Sequence, residues 1–280
     1  MIYNKLAAGT PITRPMHPNT ASAGALVLGA YLRRIRGQAG LSVQQAATAL
    51  RRTAAAVTSH ELGISPLDER NLAALISLYG KADDMRHAEA LRAHATDDEL
   101  RSPTPLPPHC LEALEEQAKG LTVFTARPIP PTLYSPALQA YKAQQDHAFL
   151  PAPRPLPDCP ITLLLDVSVL FVCLPVPELL TDQLSYWRDL AESGSLEIRL
   201  VPQELFLPQG SQLVSEITLS HDRQIWVDEG LMPAFSTGDA SSWRSGVIRR
   251  AREEAYSPDE SLNGVRDAVR TLSRARGAAR

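Results

Sequence analysis

The chain has 280 residues, 44% of them apolar, and a formal net charge of -3. That is enough apolar material for two domains, or one with appendages, and the charge balance excludes a protein that binds polyanions by bulk charge. The longest apolar run, Ile161 to Leu174, is interrupted by Asp166 and falls short of the roughly 20 residues a membrane span requires.

The three cysteines, Cys110, Cys159 and Cys173, are odd in number and lack metal-type spacing. They predict reduced thiols in a cytoplasmic protein. Residues 1–23 are rich in Pro, Thr and Asn and contain no apolar core of a signal peptide, so they predict a disordered lead.

From residue 24 the pattern turns helical. Leu28, Leu32 and Ile35 recur at helical spacing, with Arg33, Arg34 and Arg36 between them, until Ala39-Gly40. Ser42 with Gln45 is the signature of a capping box, and Ala46, Ala47 and Leu50 form the inner face of a second helix. After a break at Arg51-Arg52, Thr53 caps a third helix that carries Val57 inward and closes at Gly63. A fourth helix is predicted from Asp68 to Tyr79 and a fifth from about Met85 to Leu100. Between Leu26 and Gly63, five arginines (Arg33, Arg34, Arg36, Arg51, Arg52) stand against Glu61 alone. This local basic patch suits phosphate contact.

Residues 102–109, SPTPLPPH, read as a proline-rich linker. Beyond it, residues 110–280 predict a mixed α/β domain. A helix carries Leu111, Leu114 and Ala118, a strand runs from Thr122 to Thr125, and a helix from about Ser135 to Phe149. Ile161 to Leu170 predicts a central strand, Pro177 to Glu192 a helix and Leu196 to Val201 a strand. Leu213–Leu219 and Gln224–Asp228 form a predicted hairpin, and helices near Ser241–Glu254 and Asp259–Ser273 end the chain. The fold class is thus α+β, an all-α domain over 24–101 followed by a mixed α/β domain.

Catalytic and metal motifs do not assemble. His60-Glu61 lacks the second histidine of a zinc-protease helix, His87 and His94 have no third ligand nearby, and Pro208-Gln209-Gly210-Ser211 reads as a turn. Asp166, Asp228 and Glu229 are expected to be solvated, and Trp187, Trp226 and Trp243 to anchor a core or interface. No enzyme, cofactor or metal is predicted.

Short helix, tight turn, short helix is the helix-turn-helix arrangement. Leu28-Gly29, Leu32-Arg33, Ile35-Arg36, Ala39-Gly40-Leu41-Ser42, Ala46, Leu50, Val57, Glu61, Gly63 and Leu78-Tyr79-Gly80 together resemble the lambda-repressor-like, xenobiotic-response-element class of DNA-binding domains. The resemblance implies a dimer on double-stranded DNA, with Ala54, Ala55, Thr58 and Ser59 as reading positions and Arg52 just before them. Arg33, Arg34, Ser42, Gln44, Arg51 and Thr53 complete the expected DNA-binding set. It also implies a structural salt bridge between Arg36 and Glu61. Where relatives present Gln, Arg or Ser, Ala54 and Ala55 offer only methyl groups, which predicts phosphate grip more than base reading.

The second half resembles the C-terminal domain of unknown function of actinobacterial helix-turn-helix regulators, including WhiJ-type and antitoxin-like proteins. The matching phrases are Pro130 to Tyr134 with Tyr141, Asp182-Gln183-Leu184 with Leu190-Ala191, Ile198 to Pro202, Ile225 to Glu229 and Ser257 to Leu262. The family's Pro-Gly-Leu-Leu-Gln is Pro131-Thr132-Leu133-Tyr134-Ser135 here. The resemblance implies a transcriptional regulator whose second domain senses a signal or binds a small partner protein encoded nearby. The competing expectation is an antitoxin-like interaction module in which the helix-turn-helix serves as scaffold or dimerisation element.

Overall fold

The computed structural model describes residues 21–101, 109–144, 151–171, 174, 176–202, 212–230 and 233–278. Most of the expected lead and linker, Cys173, the Pro208–Ser211 turn and the end of the helix expected over 135–149 lie outside the described residues.

Five helices come first: α1 (Ala23–Gln38), α2 (Val43–Leu50), α3 (Ala54–Glu61), α4 (Glu69–Leu78) and α5 (Met85–Ala93). Each start up to α4 is set by a side chain that accepts one of the amides left free at a helix N-terminus. Ser22 accepts from Ala25, Thr53 from Ala56 and Asp68 from Asn71, while Ser42 and Gln45 complete both halves of the capping box. Gly63 ends the third helix with φ +66, and its Cα lies so close to Ala25 that a Cβ would sit 2.7 Å from that carbonyl oxygen. Glycine is needed there for both reasons.

α5 ends at His94, short of the helix expected to reach Leu100. The Ser22 hydroxyl donates to the Ala95 carbonyl (2.5 Å) and the Gly24 amide to that of Asp97 (3.1 Å). These bonds draw the chain across the start of α1, and Glu99–Leu100 become the strand β1 instead.

The remaining elements are α6 (Cys110–Glu115), β2 (Gly120–Thr125), α7 (Pro136–Gln144), β3 (Ile161–Asp166), α8 (Pro177–Glu192), β4 (Glu197–Val201), β5 (Leu213–Thr218), β6 (Gln224–Asp228), β7 (Ala234–Ser236), α9 (Ser242–Glu254) and α10 (Pro258–Ala278). The seven strands make one sheet in the order β1-β7-β6-β5-β2-β3-β4. β2, β3 and β4 are parallel, joined by connections that carry α7 and α8, and the other pairings are antiparallel. Parallel strands are covered on both faces, which is why β3 reads as an unbroken Ile-Thr-Leu-Leu-Leu run. Leu163 and Leu165 face the larger core, while Leu164 packs with Phe124, Val201, Val214 and Ile248 under α9. The helical head followed by a mixed sheet with helices is the architecture the sequence implies.

One loop explains a phrase that sequence alone leaves uninterpreted. The Leu133 carbonyl accepts from both Gln183 Nε2 (2.8 Å) and Trp187 Nε1 (2.9 Å) of α8, and Gln183 Oε1 accepts from the Ser135 amide (2.8 Å). Trp187 is fully buried, so its indole nitrogen finds the partner that burial demands. The open edge at β4 is closed by the segment before α10 and by its first turn: the Leu200 carbonyl accepts from the Tyr256 amide and the Leu200 amide donates to Ser261 Oγ.

The head does not hang on a tether. α1 is buried along most of its length, packed against α3 and α5 on one side and against α6, β1 and β7 on the other. Arg244 of α9, with no exposed surface, donates to Glu99 of β1 (3.0 Å) and to Ser236 of β7 (3.0 Å). Head and sheet share one continuous apolar core.

Asp166 and Glu229 are not solvated, contrary to expectation. Asp166 is 6% exposed and accepts from the Ser168 amide (2.8 Å), fixing the turn after β3. Glu229 belongs to a buried cluster around Arg154. That guanidinium donates twice to Glu115 (2.8 and 2.9 Å) and once to Glu229 (2.6 Å), whose other oxygen accepts from Ser215 (2.5 Å). Neighbouring residues in sequence give no sign of it, because Glu115, Arg154 and Glu229 come from three distant segments.

Candidate nucleic-acid interface

α2 and α3 meet through a turn at Arg51, whose backbone is left-handed (φ 53), and Arg52, whose amide donates to Ala47 O (2.9 Å). A non-glycine residue in that conformation costs about 1–2 kcal/mol, so the fold keeps an arginine where glycine would be cheaper. Its side chain and that of Arg52 are exposed. At the third helix, Thr53, Ala55 and Thr58 face solvent, Ala54, Ala56 and Ser59 are half-buried, and Val57 is fully inward. The N-terminal end of α3 is therefore open to solvent and flanked by two cations.

The opposite end is gripped. Arg36 of α1 donates to both oxygens of Glu61 (2.6 and 2.9 Å), with a third bond to the Leu41 carbonyl (2.7 Å). Glu61 is 4% exposed, so this bidentate pair is the expected link between the first and third helices. The paired carboxylate and hydrogen bonding raise the Arg36 pKa still further. Tyr79, buried beside this pair, has its phenol pushed up by desolvation first and by the Glu61 charge second. Gly29 permits the closeness: a Cβ there would meet the Glu61 carbonyl oxygen at 2.6 Å.

Structure sorts the residues expected to touch DNA. Arg33, Gln44, Arg51, Arg52, Thr53, Ala55 and Thr58 present side chains to solvent. Arg34 does not belong to that exposed group: it pairs with Glu112 (2.6 Å) and Glu116 of α6 at the joint between head and sheet. Ser42 and Thr53 use their hydroxyls as caps, and the Ser59 hydroxyl bonds that of Ser65 (2.6 Å). Those hydroxyls are committed, and the Ser42 amide is held by Gln45 Oε1 (2.8 Å).

One residue the sequence pattern did not single out joins the set. Arg70, exposed in the first turn of α4, lines a surface cleft of about 540 Å³ together with Arg51, Arg52, Asp68 and Asn71. Alone, Arg70 looks like any solvated helix residue. Only the packing of α4 against α2 brings it beside the turn. Three guanidinium groups against one carboxylate, Asp68, which already caps α4 through Asn71 (2.7 Å), make a cleft suited to an anionic backbone.

A short helix, a turn and a second helix with an open, arginine-flanked N-terminal end define a helix-turn-helix head. Comparison with known families agrees: residues 27–90 match the family model described as a helix-turn-helix domain. No curated protein and no solved structure shows significant similarity to the chain. Among the described residues no helix is long and apolar enough to cross a membrane, and no three His, Cys, Asp or Glu side chains group as metal ligands.

Proposed function

We propose that this chain is a cytoplasmic transcriptional regulator that binds duplex DNA as a homodimer through α2, α3 and the start of α4. The observation that carries the reading is the exposed end of α3 with Arg51 and Arg52 just before it and Arg70 beside those two across the cleft between α2 and α4. In such heads the recognition helix lies in the major groove and its first residues face base edges. Here those residues are Ala54 and Ala55, with Thr58 one turn on. Methyl groups contact thymine methyls, Thr58 bonds bases of either kind, and the arginines hold phosphates or a guanine edge. Affinity then rests mainly on phosphates and sequence choice on few contacts. Two heads on half-sites about one helical turn apart supply the selectivity that one head lacks. The sheet region, by its resemblance to the domain of WhiJ-type and antitoxin-like regulators, receives a small partner protein.

A second reading has its own support. The alanine face of α3 and the fusion of head and sheet into one core suit an antitoxin-like interaction module whose helix-turn-helix is scaffold. The two separate in a gel shift with duplexes flanking the chain's own gene, against random-sequence competitor. The regulator reading expects a retarded band that survives competitor in large excess, with two chains per duplex. Equal affinity for every duplex supports the scaffold reading.

A further inference from the structure

The sheet region reaches the C-terminal end of the recognition helix through the turn between β5 and β6. Between β5 and β6 the chain turns through Ser220, His221 and Asp222 to Arg223, and the Leu219 amide donates to the Arg223 carbonyl (2.7 Å). Arg223 is 7% exposed. Its Nε donates to the Ser220 carbonyl (3.1 Å), and its Nη1 crosses to the carbonyl of Leu62, the residue that caps the C-terminal end of α3. Both acceptors are carbonyls, and among the described residues no carboxylate lies within ion-pair distance of this guanidinium. Burial without such a partner lowers its pKa.

We propose that Arg223 is a positioning residue for DNA recognition, and that the β5–β6 hairpin is the lever by which the sheet region sets the angle of α3. This rests on the DNA-binding reading above.

Three features make the contact more than a chance hydrogen bond. A guanidinium at the C-terminal end of a helix satisfies a carbonyl that the helix leaves free and complements the negative end of its dipole. The turn that presents it is a short three-residue loop, Ser220 to Asp222, between the paired Leu219 and Arg223, and two of its residues, His221 (φ 63) and Asp222 (φ 54), are left-handed, a conformation in which Asn and Gly are the usual occupants. The joint is also tightly packed. The cleft bounded by Leu26, Ala30, Glu61, Leu62, Gln117 and Arg223 measures about 10 Å³, the space of about one water.

The geometry gives the contact leverage. α3 has eight residues and so extends about 12 Å. Its C-terminal turn is held by Arg36 from α1 and by Arg223 from the hairpin, and its N-terminal end is open. A tilt of about 10° at the held end moves the reading end by about 2 Å. Hydrogen bonds tolerate only a few tenths of an ångström, so that shift abolishes base contacts while leaving the flexible arginines able to follow the phosphates. Anything that displaces the hairpin, such as a partner seated on the sheet region, would thereby change sequence preference without touching the DNA.

The test uses the full chain with Arg223→Met and Arg223→Lys. Each is titrated against the duplex preferred by wild type and against random-sequence duplex. Methionine keeps the bulk and removes the donors, and loss of a charged hydrogen bond is expected to reduce the preference ratio roughly tenfold or more. Random-sequence affinity should stay within about twofold, and lysine should recover part of the ratio. An unchanged ratio in Arg223→Met overturns the proposal, as does an equal fall on both duplexes. Amide exchange without DNA is measured alongside: faster exchange confined to Thr58–Ile64 supports the lever, and unaltered exchange there overturns it. If Arg223→Met does not fold, Arg223→Lys is judged by the same two measurements. Wild type without any duplex preference sinks the DNA-binding reading instead, and the exchange result then decides whether the hairpin holds α3.

Discussion

Replacing Arg154 with methionine is expected to destabilise the fold by at least 3–5 kcal/mol, the usual cost of removing one partner from a buried ion pair. The loss should sit at the upper end because one guanidinium serves two carboxylates, Glu115 and Glu229, which are 3% and 4% exposed. Both would be stranded in the same cluster, where the Glu229 charge already raises the proton affinity of Glu115. The sign of the pH dependence follows. Burial already pushes the Glu115 carboxyl up to about 7 in the intact protein, against the pull of Arg154. A carboxyl raised above its unfolded value contributes stability below that value and loses it as pH rises through the folded one. The wild type should therefore lose some stability between pH 5 and pH 8, and Arg154→Met considerably more. Glu115→Gln, in the presence of Arg154, should flatten the wild-type slope. Denaturant unfolding at the two pH values checks this; a deficit in Arg154→Met that is the same at both contradicts it.

The second large effect is expected at Arg36. Changing it to alanine leaves the Glu61 carboxylate buried beside Tyr79 without a cation, and also frees the Leu41 carbonyl. About 3–5 kcal/mol should be lost, concentrated in the helical head, where α1 and α3 would part at the contact that Gly29 makes possible. The double change Arg36→Met with Glu61→Gln should recover a large share, since it removes the charge along with its partner. Arg34→Ala offers the contrast. Its partners Glu112 and Glu116 are 14% and 48% exposed, against 4% for Glu61, so water reaches the carboxylates left behind and the loss should be smaller, about 1–2 kcal/mol. Equal losses for Arg34→Ala and Arg36→Ala, measured by thermal unfolding, would contradict the separation drawn between the two arginines.

The head was legible because its determinants are local. Ser42 with Gln45, Thr53, Asp68 and Gly63 act on amides and carbonyls a few residues away, so their spacing alone locates three helices, and the Leu28, Leu32, Ile35 period locates the first. The Arg36–Glu61 pair was legible only through family resemblance, since nothing in the spacing requires a bond over 25 residues. β7 and β1 were not visible as strands: they are three and two residues long, too short for a period-2 pattern to show. The joint was hidden for a related reason. Arg34 reads as one more basic residue on a helix until α6 brings Glu112 and Glu116 against it, and Arg223 reads as a turn residue until the hairpin meets Leu62. In both cases the chemistry of the residue is local but its partner is far along the chain. The same holds for Arg70, whose place beside Arg51 and Arg52 exists only once α4 packs on α2.

The central claim, that the open end of α3 and its flanking arginines grip duplex DNA, is tested most directly by the salt dependence of binding. The logarithm of the association constant falls linearly with the logarithm of salt concentration, by about 0.9 for each phosphate neutralised. Changing Arg51, Arg52 and Arg70 together to alanine should reduce that slope by about 2 to 3 and weaken binding, with the fold intact by circular dichroism. A wild-type chain with no measurable salt slope, or a triple variant with the slope unchanged, would contradict the account.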